Sequence, residues 1–327
     1  MGYVFVLGGG GAIGAFQAGS LLALAEAGIV PDALVGCSAG ALNAAFLAAD
    51  PSVKRARALV EFWQAPSSRS VLAPSLFSRV LGVPTVLRHG DALLDQRPLR
   101  AMLNRFLDAH DVAEFAIPLR ITTTCLDCAE SVHHDRGPLT EILLASCALP
   151  GLLSPVRLPD GHDHVDGGVL CGVPVSAALD IAGPGDTVMV LDAGLAPVTG
   201  ALGGCAATPG SELACGLAVL PGRVYRAPEE RPRARLLDVV LRSFTIARSV
   251  ANRAAVREAM TDPRVRVLPH LADAWTAGIL ATMPTGPRDF ARAGDLVAAG
   301  HAAAMAWLDG PSVLPPTPGQ TTRSTVI

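Results

Sequence analysis

The residues best able to do chemistry begin within the first forty positions. Ser38 sits in Gly36-Cys37-Ser38-Ala39-Gly40, a Gly-x-Ser-x-Gly pattern. Between a strand and a helix, this pattern makes a sharp elbow that holds a serine hydroxyl clear of the sheet, ready to attack an acyl carbonyl. The elbow needs a strained backbone at the serine, so its neighbours must lack bulk, and Gly36 and Gly40 meet that demand. The helix that follows aims its first N–H groups at the site and favours negative charge there. Five residues alone do not exclude a plain tight turn.

A second glycine-rich run, Gly8-Gly9-Gly10-Gly11-Ala12-Ile13-Gly14, opens the preceding helix. Its backbone N–H groups can hold an anion or an oxyanion. Gly9 to Gly14 also match the Gly-x-Gly-x-x-Gly dinucleotide fingerprint. That reading expects an acidic residue at the end of the second strand. Asp32 precedes the strand instead, and the strand's end is the elbow itself.

A serine hydroxyl needs a base. The histidines, at 89, 110, 133, 134, 162, 164, 270 and 301, stand in no obvious motif. An α/β-hydrolase would place its elbow after several strands and finish with an acid and then a histidine. Here Ser38 follows only the second strand. The remaining candidate is Asp166 in His164-Val165-Asp166-Gly167-Gly168, where two glycines free the approach to the carboxylate. Asp-Gly-Gly is equally a turn signal.

The elements that must position these groups alternate. Tyr3–Leu7 reads as a buried strand, 15–27 as a helix stopped by Gly28, 33–35 as a second strand and 39–49 as a second helix. Strand–helix–strand–helix implies parallel pairing with right-handed crossovers. Further helices are expected at 54–65, 99–107, 139–147, 236–260 and 290–308, and further strands at 119–126, 188–192 and 265–268. Residues 66–89 read as a lid-like insertion, 194–216 as a long loop and 310–327 as a disordered tail. One α/β domain over 1–309 is the simplest organisation.

Half of the 327 residues are hydrophobic and only 17% are charged, ample material for one large core. Aromatics are 4%, while Ala, Gly, Leu and Val abound, which implies close packing of small side chains. Net charge is −3 with no block of one sign, so no nucleic-acid footprint is present. The arginine-rich stretch 223–266 reads as a solvated helix face. The seven cysteines form no disulfide framework, and a reducing compartment fits. Cys125-x-x-Cys128, followed by His133 and His134, reads as core or near-surface cysteines, and no metal or other cofactor is expected. With no basic leader and no apolar run of about 18 residues, a cytoplasmic protein is expected, with peripheral membrane contact compatible.

Taken together, the glycine run, the elbow and the distant Asp-Gly-Gly resemble the patatin-like phospholipase family. The stretch Gly9 to Gly19 is similar to that family's first block and Gly36 to Gly40 to its second. Leu94-Asp95-Gln96-Arg97-Pro98-Leu99, Ala145-Ser146-Cys147-Ala148-Leu149-Pro150 and Val165-Asp166-Gly167-Gly168-Val169 are similar to later ones. The likeness runs from about residue 3 to 192.

The resemblance implies a three-layer sandwich with a mostly parallel central sheet flanked by helices. It implies Ser38 as nucleophile and Asp166 as base of a Ser-Asp dyad. The N–H groups of Gly9, Gly10 and Gly11 would form the oxyanion hole, with Gly14, Gly36, Gly40, Gly167 and Gly168 supporting the motifs. The implied activity is hydrolysis of a lipid or other acyl ester through an acyl-enzyme. An acyltransferase or cyclase using the same acyl-Ser38, or a catalytically silent scaffold, are the alternatives. The chain departs from the family at Ile13, where an arginine or lysine is usual, and at Cys171 and Gly172, where an asparagine is frequent. Loss of the cation weakens the expectation of phosphate-bearing substrates.

Overall fold

A computed structural model of the chain describes residues 2–66, 68, 92, 94–193, 236–276 and 290–310. One sheet of eight strands runs through it. β1 (Tyr3–Leu7) and β2 (Ala33–Cys37), joined through α1 (Gly14–Glu26), pair in parallel as the alternation implied. β3 (Leu119–Cys125) continues the parallel set beyond β2. On the other side come β7 (Thr187–Leu191) and β8 (Val265–Val267), also parallel. Three short strands had no expectation behind them: β4 (Glu130–His134), β5 (Val156–Arg157) and β6 (Asp163–Asp166). They pair antiparallel on and next to β3. They run from two to five residues and are largely polar, so no apolar periodicity marks them.

The parallel strands β1, β2, β3 and β7 are buried on both faces, and their alternation divides two cores. Phe5, Leu7, Leu34, Ile121, Met189 and Leu191 point into one core. It is closed by α1, α2 (Ala39–Ala48), α3 (Val53–Gln64), α4 (Arg97–Phe106), α5 (Leu139–Ser146) and α9 (Ala293–Leu308). Val4, Val6, Val35, Val188 and Val190 point the other way. There they meet α6 (Val175–Leu179) and the end of α7 (Leu236–Ala259). The short helix α8 (Leu271–Thr276) sends Leu271 and Ala274 into the first core. These are the three layers expected.

Small residues do the work the composition implied. Where α1 crosses α9, a Cβ on Gly19 would stand 2.0 Å from the carbonyl oxygen of Val297. A Cβ on Gly300 would stand 1.9 Å from that of Phe16. The two helix backbones are in contact, and only glycine permits it. The lid-like insertion, the 194–216 loop and the tail lie outside the described residues, apart from Pro66, Ser68 and Gly310. No helix among the described residues is long and apolar enough to cross a membrane.

Candidate active site

β2 ends at Cys37 and α2 begins at Ala39, so a single residue makes the turn. That residue, Ser38, takes φ 54° and ψ −123°, a conformation that non-glycine residues rarely adopt. The contacts that hold it there are tight. A Cβ on Gly40 would stand 2.0 Å from the carbonyl oxygen of Leu7, so α2 begins hard against the end of β1. The Ser38 N–H donates to Ser146 Oγ at 2.9 Å, and that hydroxyl donates to the Thr122 carbonyl at 2.7 Å. Ser146 lies in a block already singled out in the sequence, but nothing there assigned it this part.

β3 brings Asp166 to the elbow. Cys37 at the end of β2 pairs with Thr122. Asp166 at the end of β6 pairs with the next residue, Thr123. β4 occupies the opposite edge of both threonines, so β2 and β6 share one edge of β3 and meet end to end. Ser38 and Asp166 are therefore neighbours despite a sequence separation of 128, and Ser38 Oγ donates to Asp166 Oδ2 at 2.7 Å. The other carboxylate oxygen accepts from the Gly168 N–H at 2.7 Å. Both side chains are buried.

The glycine run needs one correction. Gly9 was expected to donate to an oxyanion, but its N–H already donates to the Gly172 carbonyl at 2.9 Å. The N–H groups of Gly10 and Gly11 have no such partner among the described residues. What Gly9 offers is its carbonyl, which accepts from Arg248 Nη2 at 3.2 Å. Arg248 comes from α7, inside the segment read as a solvated face. Its guanidinium instead lies against the site, and its Nε is buried without a hydrogen bond. Gly168 clears the space: a Cβ there would stand 2.9 Å from Arg248 Cδ and 2.9 Å from Asp166 Oδ1. Ile13, where the family usually has a cation, is buried in the core below. The cation at this site thus comes from the far end of the chain.

Burial pushes the Asp166 carboxyl above its ordinary value. The Arg248 charge, the Ser38 hydroxyl and the Gly168 N–H pull the other way by favouring the carboxylate. Two thiols lie beside the pair. Burial first, and then the Asp166 charge, hold Cys37 and Cys147 protonated. The histidines of β4 are occupied elsewhere: His133 bonds Thr122 Oγ1 at 3.0 Å and His134 bonds Thr123 Oγ1 at 2.8 Å. No histidine hydrogen-bonds Ser38 or Asp166 among the described residues.

A buried polar network braces the elbow from behind. Asn43, fully buried on α2, donates to the Gly14 carbonyl at 3.0 Å and to Gln17 Oε1 at 2.8 Å. It accepts from Trp63 Nε1 at 2.8 Å. Gln17 Nε2 in turn donates to the Leu191 carbonyl at 2.8 Å. Asn43→Leu would strand the Trp63 N–H and one Gln17 oxygen in the core. At about 1–3 kcal/mol for each of the two stranded groups, we expect a stability loss of about 2–6 kcal/mol, read from the midpoint of urea unfolding. A loss within 0.5 kcal/mol would show that the network braces nothing.

Sheet, turn and carboxylate define an α/β protein whose serine, in a one-residue strand-to-helix turn, is hydrogen-bonded to an aspartate. The chain belongs to the patatin-like phospholipase family, whose profile matches residues 5–179. It is 32% identical over 191 residues to patatin-like phospholipase domain-containing protein 6 of Mus musculus, covering 58% of this chain and 13% of that protein. It is 30% identical over 191 residues to domain-containing protein 7 of Rattus norvegicus, with the same coverage of 58% and 13%. It is 29% identical over 172 residues to neuropathy target esterase sws of Drosophila sechellia, covering 52% of this chain and 11% of that one. The chain therefore spans about an eighth of the length of these curated relatives. Among solved structures, VipD from Legionella pneumophila aligns with a TM-score of 0.43 at 15% identity, over 94% of this chain and 66% of that one.

Proposed function

We propose that the chain is a serine acyl hydrolase that cleaves carboxylic esters of lipids through an acyl-Ser38 intermediate. The observation that carries this reading is the 2.7 Å bond from a strained, buried serine hydroxyl to a buried carboxylate. Membership of a phospholipase family, and relatives named as phospholipases and an esterase, support it.

In this reading Ser38 Oγ attacks the ester carbonyl while Asp166 Oδ2 takes its proton. The N–H groups of Gly10 and Gly11 hold the oxyanion, helped by the positive end of α2. Collapse expels the alcohol, which leaves with the proton from Asp166. Water then gives a proton to the same carboxylate and attacks the acyl carbon. Free acid departs and Ser38 recovers its hydrogen. Arg248 holds the Gly9 carbonyl, and so the loop beside it, and biases Asp166 toward the carboxylate. Leu170, together with Ile246 and Val250 one turn apart on α7, are exposed apolar side chains that support contact with a lipid surface.

A fluorophosphonate probe and p-nitrophenyl esters of short and long acyl chains test the reading. The intact chain should label once, at Ser38, and release free acid, while Ser38→Ala should do neither. Labelling that persists in Ser38→Ala, or no hydrolysis of any ester by the intact chain, would overturn it. Acyl transfer to an added alcohol, with no free acid in water alone, would convert the reading to an acyltransferase.

A further inference from the structure

The geometry points to a metal site for one zinc-class ion, held by Cys125, Cys128 and His162. Nothing in it rests on the acyl hydrolase reading.

Cys125 ends β3, and the four residues Leu126 to Ala129 turn the chain back into β4, so that Cys125 pairs with Glu130. The turn folds Cys128 over Cys125. The Cys128 N–H donates to Cys125 Sγ at 3.1 Å, and Ala129 takes the left-handed conformation, φ 54°, that closes the loop. The form of a cysteine that binds a metal is the thiolate. Both cysteines are free.

The third group comes from another turn. His162 lies just ahead of β6, and one of its ring nitrogens stands with the two sulfurs, all three atoms within 4.8 Å of one another. Around a zinc ion, with bonds of about 2.0–2.3 Å, tetrahedral ligand atoms stand on the order of 3.5 Å apart. Side-chain rotation closes the difference. The two turns are already laced together. The Leu126 N–H donates to the Asp163 carbonyl at 2.9 Å, and the Asp163 N–H donates to Asp127 Oδ2 at 3.0 Å.

The same Asp127 oxygen lies 3.3 Å from His162 Nδ1. With Nδ1 facing a carboxylate, Nε2 is the nitrogen left for a cation, and carboxylate–imidazole–metal is the usual way such a ligand is oriented. Two sulfurs and an imidazole select zinc-class ions over calcium or magnesium, which take oxygen ligands. Cys128 is exposed and His162 partly so, which leaves the fourth position open to water. Sequence alone offered only His133 and His134 beside the cysteines and favoured no metal there. Their rings are bonded to Thr122 and Thr123, on the strand pair itself. His162 takes the place they were considered for. The ion would tie the β3–β4 turn to the strand that ends in Asp166.

The test uses the full chain, stripped with a chelator, reduced with a phosphine and titrated with cobalt(II) or zinc(II) chloride. We expect one ion per chain, a thiolate-to-cobalt charge-transfer band, displacement of cobalt by zinc, and a higher Tm with zinc. Cys128→Ser should abolish the band, and His162→Ala and Asp127→Asn should each weaken binding about tenfold or more. His133→Ala should bind as the unaltered chain does. Far-ultraviolet circular dichroism of Cys128→Ser and His162→Ala confirms folding, since both positions are in surface turns. Absence of a thiolate–cobalt band, binding that survives Cys128→Ser, or equal affinity in His162→Ala each overturn the assignment.

Discussion

Asp166→Asn is expected to lower kcat by about 10⁴-fold with KM nearly unchanged. The amide keeps the shape of the carboxylate and can still accept the Gly168 N–H, but it cannot take a proton from Ser38. Fluorophosphonate labelling should slow in parallel, because it needs the same activated oxygen. Stability should move the opposite way. Burial holds the Asp166 carboxyl above its ordinary value of 3.8, so the folded chain binds the proton more tightly than the unfolded one. A pKa raised by folding costs stability as pH rises through the window between unfolded and folded values. Above that window the native chain bears the cost of a buried carboxylate, and Asp166→Asn does not. The variant should therefore be the more stable of the two at neutral pH, with the difference vanishing below about pH 3.8, where both groups are neutral in both states. Hydrolysis retained within tenfold would remove Asp166 from the role of base. Equal urea midpoints at neutral pH would remove the burial cost.

What the sequence made legible follows from range. Ser38 was legible because strand, elbow and helix are consecutive, and the demand for small neighbours falls within five residues. The parallel strands were legible because they are buried on both faces and read as apolar runs. Asp166 was legible only jointly with the other blocks. The strand that carries it, β6, has four residues, and its register on β3 is a tertiary fact. Gly9 could not be separated from Gly10 and Gly11 by eye. What distinguishes it is a carbonyl at position 172, brought in by the chain after Asp166. Arg248 was the largest omission. Among arginines interspersed with Glu and Asp, charge patterning favours a solvated face, and no local signal says which one turns inward. Its partner, the Gly9 carbonyl, lies 239 residues away. The sequence shows the loss of a cation at Ile13, but not that Arg248 brings one to the same loop.

Arg248→Gln should move the acid limb of the kcat/KM profile to higher pH, by about one unit. The argument rests on two separable contacts. The guanidinium charge favours the Asp166 carboxylate against the cost of burial. Remove the charge and the carboxyl is protonated over a wider acidic range, so the base is available only at higher pH. The Nη2 group also holds the Gly9 carbonyl, which orients the residues whose N–H groups would meet the oxyanion. Glutamine can still donate to a carbonyl but carries no charge. Lysine carries the charge but gives up the planar fork and its fixed donor directions. Arg248→Gln should therefore shift the limb and largely keep the plateau, while Arg248→Lys should keep the limb and lower the plateau by about tenfold. A purely structural role would lower both variants alike without moving the limb. If the limb stays fixed in Arg248→Gln, the charge does not act on Asp166, and the guanidinium serves the loop alone. The contrast also bears on substrate. A cation supplied by α7 stands beside Asp166 and the glycine loop, where an anionic head group can be sampled directly. Comparing neutral with phosphate-bearing esters in the same two variants should show KM for the anionic ester rising more in Arg248→Gln than in Arg248→Lys. KM values that change equally for both esters would confine Arg248 to positioning.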